Sequence, residues 1–236
     1  MDALERRWLG RIEYRAAWQL QHELVAARSA DTIPDTLLLL EHPPVLTLGR
    51  QSDPSHVRAS AEELQRRGVD VVRAERGGEV TYHGPGQLVA YPIVKLAQRG
   101  LLLRPFVRAL EQAMIETAAG FGVAAGRRDG YPGCWCAPTS AVPRKLGALG
   151  LRVERGVSYH GIALNVTTRL ADFELIDPCG MPGVAVTSIA REGGWTAAES
   201  HPSTSSVERA AAHFGDALAR QLERAAPTGQ LAISTA

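Results

Sequence analysis

The sequence is short of long apolar runs, of cysteine and of net charge, and each shortage excludes something. No stretch approaches the ~20 apolar residues a membrane-spanning helix needs, so no membrane role is expected. The first residues, Met1 to Arg7, lack a basic segment followed by an apolar one, so no secretory leader is expected. Cys134, Cys136 and Cys179 are three in 236 residues. That number is too small and odd for a disulfide scaffold, and a cytoplasmic location fits. The formal net charge of +1 gives no overall field aimed at nucleic acid. Neither the phosphate loop G-x-x-x-x-G-K-[ST] nor a helix-opening G-x-G-x-x-G occurs, so nucleotide sites of those kinds are not indicated. With 45% hydrophobic and 22% charged residues, the composition is that of a globular protein, long enough for one substantial core.

The pattern along the chain alternates helices and strands. Tyr14, Ala17, Trp18, Gln21, Leu24, Val25 and Arg28 recur at helical spacing. Thr36–Glu41 and Val45–Leu48 read as short buried strands. Ser60-x-x-Glu63 is a capping box for a helix over Ala61–Arg67, with Gly68 just past its end. Val69–Arg73 and Leu88–Val94 are strands on either side of a glycine-rich segment. Pro105 starts a long helix with Phe106, Leu110, Met114, Ala118 and Phe121 on one face. Gly126–Ser140 is dense in glycine and proline and reads as loop. Leu146–Val166 reads as a hairpin turning at Glu154-Arg155-Gly156, with Ser158, His160, Ile162, Leu164 and Val166 on one face. Ser205 caps a last helix carrying Val207, Ala211, Phe214, Leu218 and Leu222 inward. Residues 191–206 and 226–236 are expected to be loose. Paired strands with a few long helices predict an α+β fold, a mixed β-sheet with flanking helices, in a single domain over 1–236.

Chemistry concentrates in four places. Arg76-Gly-Gly-Glu-Val-Thr-Tyr-His83-Gly-Pro-Gly-Gln87 packs glycines, an arginine and a histidine into one segment, which suits a binding loop. Cys179, between Pro178 and Gly180, sits on a tight turn whose backbone N–H groups favour a thiolate and an oxyanion. An ordinary thiol is only a few per cent ionised at neutral pH, so a nucleophile needs a base. Lys145, in Arg144-Lys-Leu-Gly-Ala-Leu-Gly150, adjoins apolar residues, and desolvation equips such a lysine as that base. A buried inert cysteine and a surface lysine are the bland alternatives. His83 and His160 each precede a glycine and either orient substrate or are core histidines. Cys134-x-Cys136 lacks the usual structural-zinc spacing, so no metal site is expected. Two arginine clusters, Arg66/Arg67/Arg73/Arg76 and Arg127/Arg128/Arg144/Lys145/Arg152/Arg155, flank these segments and suggest a basic rim for an acidic partner.

Taken together, Arg76 to Gln87, Lys145 to Gly150, His160-Gly-Ile-Ala-Leu-Asn165 and Pro178-Cys-Gly180 resemble the lipoyl(octanoyl) transferase family in order and spacing over roughly residues 35–190. The resemblance implies a fold shared with biotin and lipoate ligases. It implies transfer of octanoyl from octanoyl-acyl carrier protein to a lysine of lipoyl domains of 2-oxoacid dehydrogenase complexes, or of the glycine-cleavage H protein. It places the acyl-thioester cysteine on Cys179 and its partner on Lys145. Substrate-lining positions fall on Arg76, Gly77, Gly78, Glu79, Val80, Thr81, Tyr82 and His83, on Ala148, Leu149 and Gly150, and on Gly161, Ile162 and Ala163, with His160 in support. Because the donor is already a thioester, no ATP, metal or other cofactor is expected. An ATP-dependent ligase on the same fold and a non-catalytic acyl or lipoyl-domain binder are the competing readings.

Overall fold

The computed structural model describes residues 4–178, 183–195 and 206–225. In chain order the elements are β1 (Glu5–Arg11), α1 (Tyr14–Ser29), β2 (Thr36–Glu41), β3 (Val45–Leu48), α2 (Ala61–Arg66), β4 (Asp70–Arg73), β5 (Thr81–His83) and β6 (Gln87–Ile93). There follow α3 (Leu103–Ala119), β7 (Gly126–Arg128), β8 (Tyr131–Cys136), β9 (Arg144–Glu154), β10 (Val157–Asn165), β11 (Ala185–Val186), α4 (Ile189–Glu192) and α5 (Ser206–Ala225). The large sheet runs β1-β2-β6-β10-β9-β8-β7, with β11 added to β9. It is mixed: β1 is parallel to β2 and β11 to β9, and the remaining pairs are antiparallel. A second sheet, β4-β3-β5, stands apart. This is the expected mixed sheet with flanking helices.

Each face of the large sheet is covered because its strands alternate. Leu37, Leu39, Leu88 and Leu164 pack on one side with Phe106, Leu110 and Met114 of α3 and with Phe214 and Leu218 of α5. Leu38, Leu40, Val89 and Tyr159 pack on the other side with Ala17, Leu24 and Val25 of α1. A third cluster, including Leu46, Leu64, Val80, Tyr82 and Leu175, gives the small sheet its own core. The Ser60 cap forms as expected, with the Glu63 N–H donating to Oγ at 3.2 Å. Ser205, and the segments 196–205 and 226–236, lie outside the described residues.

Two expectations need correction, and one strand has no expectation behind it. Gly126–Ser140 is not mainly loop: β7 and β8 form there. Gly130, at φ +78°, turns the hairpin. Gly133 lets β8 press against β9, since a Cβ there would fall 2.5 Å from the Gly147 carbonyl oxygen. The glycines thus mark a turn and a close strand approach. β1 has no sequence signal, because a partly exposed edge strand with charged residues shows little apolar alternation. Finally, His160 does not share the face of Ile162 and Leu164. Its backbone turns to φ +54°, and its ring stacks on Tyr159 at 4.9 Å instead.

Candidate active site

A cavity of about 530 Å³ runs along β9 and β10, a size suited to a small ligand. Lys145 lines it, with Arg76, Gly77, Gly78, Glu79, Thr81 and His83 from the glycine-rich segment. Ala148, Leu149, Gly150, His160, Gly161, Ile162 and Ala163 line it as well, as predicted. These residues come from distant parts of the chain because β9 and β10 pair in register, Gly150 opposite Gly161 and Ala148 opposite Ala163. The middle of the slot, around Ala148, Leu149, Ile162 and Ala163, is apolar.

Lys145 is buried, at 7% exposure. Its strand is held on both sides. Trp135 of β8 pairs with it on one edge and Val186 of β11 on the other. The Thr187 N–H donates to the Lys145 carbonyl at 2.9 Å, and Nζ lies 5.1 Å from the Trp135 ring centre. Cys179 and Gly180 lie outside the described residues. The chain that follows them returns through β11 to the backbone of Lys145.

A buried polar chain ties the glycine-rich segment to this strand. Arg76 donates to the Thr47 hydroxyl from Nε at 3.1 Å and from Nη2 at 2.8 Å. That hydroxyl faces His83 Nε2 at 3.4 Å, and His83 Nδ1 meets Gln87 Oε1 at 2.8 Å. Gln87 Nε2 donates to Asn165 Oδ1 at 2.9 Å, and Asn165 Nδ2 donates to the Thr187 carbonyl at 3.0 Å. Amide donors fix the direction of the chain, so His83 is neutral with its proton on Nδ1. Burial is the main reason its pKa falls to about 3, and His42 and Arg76 add to it. His42 is likewise neutral: it contacts the Ile12 carbonyl through Nδ1 at 2.7 Å and the Tyr91 hydroxyl through Nε2 at 2.8 Å. Burial draws its pKa to about 4. His160 falls to about 3, by burial first and then by the charges of Arg76, His22 and Arg152. Its backbone N–H donates to Gln21 Oε1 at 2.8 Å, and among the described residues neither ring nitrogen has a partner.

The lipoyl protein ligase A/B catalytic domain matches residues 13–215. The chain belongs to that family. The octanoyltransferase of Chloroflexus aurantiacus is 50% identical over 195 residues, 82% of this chain and 86% of its own. That of Acidobacterium capsulatum is 50% identical over 192 residues, 78% of each chain. Among solved structures, a putative lipoate protein ligase from T. acidophilum with bound lipoic acid aligns with a TM-score of 0.62 at 12% identity, covering 96% of this chain and 93% of that one. Lipoate-protein ligase A bound with ATP aligns with a TM-score of 0.62 at 13% identity, covering 95% and 93%. Biotin protein ligase from Aquifex aeolicus gives 0.55 at 10% identity, covering 94% and 72%. These likenesses show the fold expected from the sequence.

Within this lipoyl protein ligase A/B domain, two predicted lining residues point elsewhere. Val80 and Tyr82 are buried in the core of the small sheet, while Thr81 and His83 reach the cavity. Period-two alternation separates them. Tyr82 donates its hydroxyl to Asp172 at 2.9 Å. Tyr82→Phe should therefore cost about 1–2 kcal/mol of stability, measured by urea unfolding, with transfer unchanged, since a buried carboxylate loses a donor. Gly161 also has a reason other than ligand space: a Cβ there would sit 1.9 Å from the Ala90 carbonyl oxygen of β6. Nor does Gly161 suit an oxyanion hole for chemistry at Lys145. Its partner Gly150 is five residues along β9, about 17 Å at strand rise.

Other residues carried no signal by themselves. Tyr14, Tyr91, Leu103, Val107, Gly130, Tyr131, Pro132 and Leu151 also line the cavity. Tyr14 was legible as an inward helix position, but nothing in α1 says that its hydroxyl ends near a cavity built by β10. Cys134 and Cys136 are buried, and burial raises both thiols, Cys136 to about 11. They pack as small apolar groups in the core beneath α3. No metal-binding cluster occurs among the described residues, and no helix there is long and apolar enough to cross a membrane.

Proposed function

We propose that this acyltransferase moves octanoyl in protein lipoylation through a covalent thioester on Cys179, with Lys145 as the base. Octanoyltransferase relatives at 50% identity over most of the chain support the reaction. The observation that supports the site is Lys145, buried in an apolar cavity and held on both strand edges. The donor in this reading is octanoyl-acyl carrier protein. The acceptors are lipoyl domains and the glycine-cleavage H protein. No ATP or metal takes part, and the reaction is cytoplasmic.

The steps balance as follows. Lys145 Nζ takes the Cys179 thiol proton as the sulfur attacks the thioester carbonyl. The new C–S bond forms, the bond to the phosphopantetheine sulfur breaks, and Lys145 returns the proton to that leaving thiolate. The acceptor lysine amine is almost wholly protonated in neutral water, so it too must lose a proton. That ammonium releases one proton to solvent; Lys145 takes a second from the amine as nitrogen attacks the acyl carbon, and delivers it to the departing Cys179 thiolate. The acyl chain lies along Ala148, Leu149, Ile162 and Ala163, and burial of its methylenes holds it.

The test is an intact mass after mixing the enzyme with octanoyl-acyl carrier protein without ATP. One octanoyl group mapped to Cys179, and discharged by a lipoyl domain, is the expected result. Cys179→Ser should show no competent intermediate and lose transfer by roughly three orders of magnitude or more. Transfer that requires octanoate and ATP instead would establish the ligase reading.

A further inference from the structure

At the start of α3 and the turn joining β7 to β8, Leu103, Val107 and Tyr131 line the cavity, and Leu103 and Tyr131 are also exposed to solvent. Large apolar side chains are seldom left in solvent in a cluster without a purpose. Six are exposed among the described residues, and three are here: Leu102 at 76%, Leu103 at 50% and Tyr131 at 41%. The same rim is basic. Its two segments, residues 102–111 and 126–136, carry four arginines against two carboxylates. One carboxylate, Glu111, is buried and shared by Arg108 at 2.9 Å and Arg127 at 3.1 Å. Arg104 makes no ion pair among the described residues. Arg128 makes none either and lies 4.2 Å over the Tyr131 ring, which joins charge and apolar surface in one patch. Two of the other predicted arginines are engaged elsewhere: Arg76 is buried on Thr47, and Arg144 pairs with Glu192 at 2.7 Å.

We propose that this rim docks the carrier domain of the acyl donor, an acidic protein that presents the thioester on a flexible arm. The inference rests on the octanoyl-transfer reading above. Charge complementarity favours an acidic face opposite Arg104 and Arg128 and speeds encounter. The apolar threshold favours the donor over the acceptor. An acyl chain leaving its carrier crosses Leu103 and Val107 into the apolar slot without passing through water. An acceptor lysine brings only an amine.

The experiment compares two donors in single-turnover acylation: octanoyl-acyl carrier protein, and octanoyl-pantetheine, which has no protein domain. In the double variant Arg104→Glu and Arg128→Glu, the rate constant for acylation by the carrier-bound donor should fall tenfold or more. The wild-type rate with that donor should fall with added salt. Acylation by octanoyl-pantetheine should stay within twofold of wild type. Arg104→Glu alone, at the first turn of α3 where an acidic residue suits the helix dipole, provides a variant that keeps the fold. Unchanged acylation by the carrier-bound donor would overturn the docking site, and so would equal losses with both donors. A loss seen only in discharge to the lipoyl domain would assign the rim to the acceptor and overturn it as well. Failure of wild-type enzyme to be acylated by either donor would instead sink the octanoyl-transfer reading.

Discussion

Lys145→Ala is expected to slow octanoyl transfer by roughly 10²–10⁴-fold, the usual contribution of a positioned acid–base group. The substitution removes chemistry more than structure. The backbone at 145 is held by Trp135 and Val186 through strand pairing, and the Thr187 N–H donates to its carbonyl, so alanine keeps those bonds. Both half-reactions should slow, because in the proposed cycle each moves a proton through Lys145. Acylation and discharge are measured separately by rapid quench and intact mass. Lys145→Arg should not restore activity, because a guanidinium does not give up its proton in a protein. Wild-type rates in Lys145→Ala would remove the base from the mechanism. A small primary amine added to the alanine variant should recover part of the rate if the missing proton acceptor is the cause.

The second large effect is on stability. His42, His83 and His160 are neutral in the fold, with pKa values drawn to about 4, 3 and 3 by burial. In the unfolded chain each returns to about 6.5. Between those limits the unfolded state binds more protons, so stability falls as the pH drops below about 6.5 and keeps falling toward about 4. Above pH 7 these groups contribute no dependence. Each histidine contributes up to about 1.4 kcal/mol per pH unit in that window, and together about 4 kcal/mol per unit near pH 5. Ion-paired carboxylates act at lower pH: Asp31, held at about 2 chiefly by its hydrogen bond from Lys95, loses its contribution only as the pH falls below its ordinary value of about 4. Urea unfolding at pH 5, 6 and 8 tests this, with His83→Gln expected to reduce the slope between pH 5 and 6 by about a third. A flat profile between pH 5 and 7 would mean that the histidines are accessible and protonate without cost.

The buried polar chain shows why two sequence motifs end where they do. Gln87 closes the glycine-rich segment and Asn165 closes the His160 segment, 78 positions apart. Their amides meet at 2.9 Å, and each carries the connection on, to His83 and to the Thr187 carbonyl. An amide is the side chain that can accept from one neighbour and donate to the next inside a core. A carboxylate or an alkyl group in either position would leave a buried partner unmet. The pair therefore belongs to the placement of the site, although neither residue lines the cavity.

The sequence by itself determined the local elements and the chemistry-bearing types. Apolar spacing marked α1 and α3, Ser60 marked α2, and the turn at Arg155-Gly156 joined β9 to β10. These signals are local, carried by residues within a turn or a strand of one another. The four motifs likewise carried the family. Only the tertiary structure decided the rest. β1 and β8 exist because neighbouring strands supply their hydrogen bonds, and no local pattern encodes a neighbour. Val80 and Tyr82 leave the cavity because two cores compete for alternate faces of one short strand. Gly161 is small because the Ala90 carbonyl of β6 occupies the space of a side chain. Tyr14, Leu103 and Tyr131 reach one cavity because sheet order brings three distant segments together. Contacts of that kind are fixed by packing across the whole chain, which a reading of neighbours in sequence does not contain.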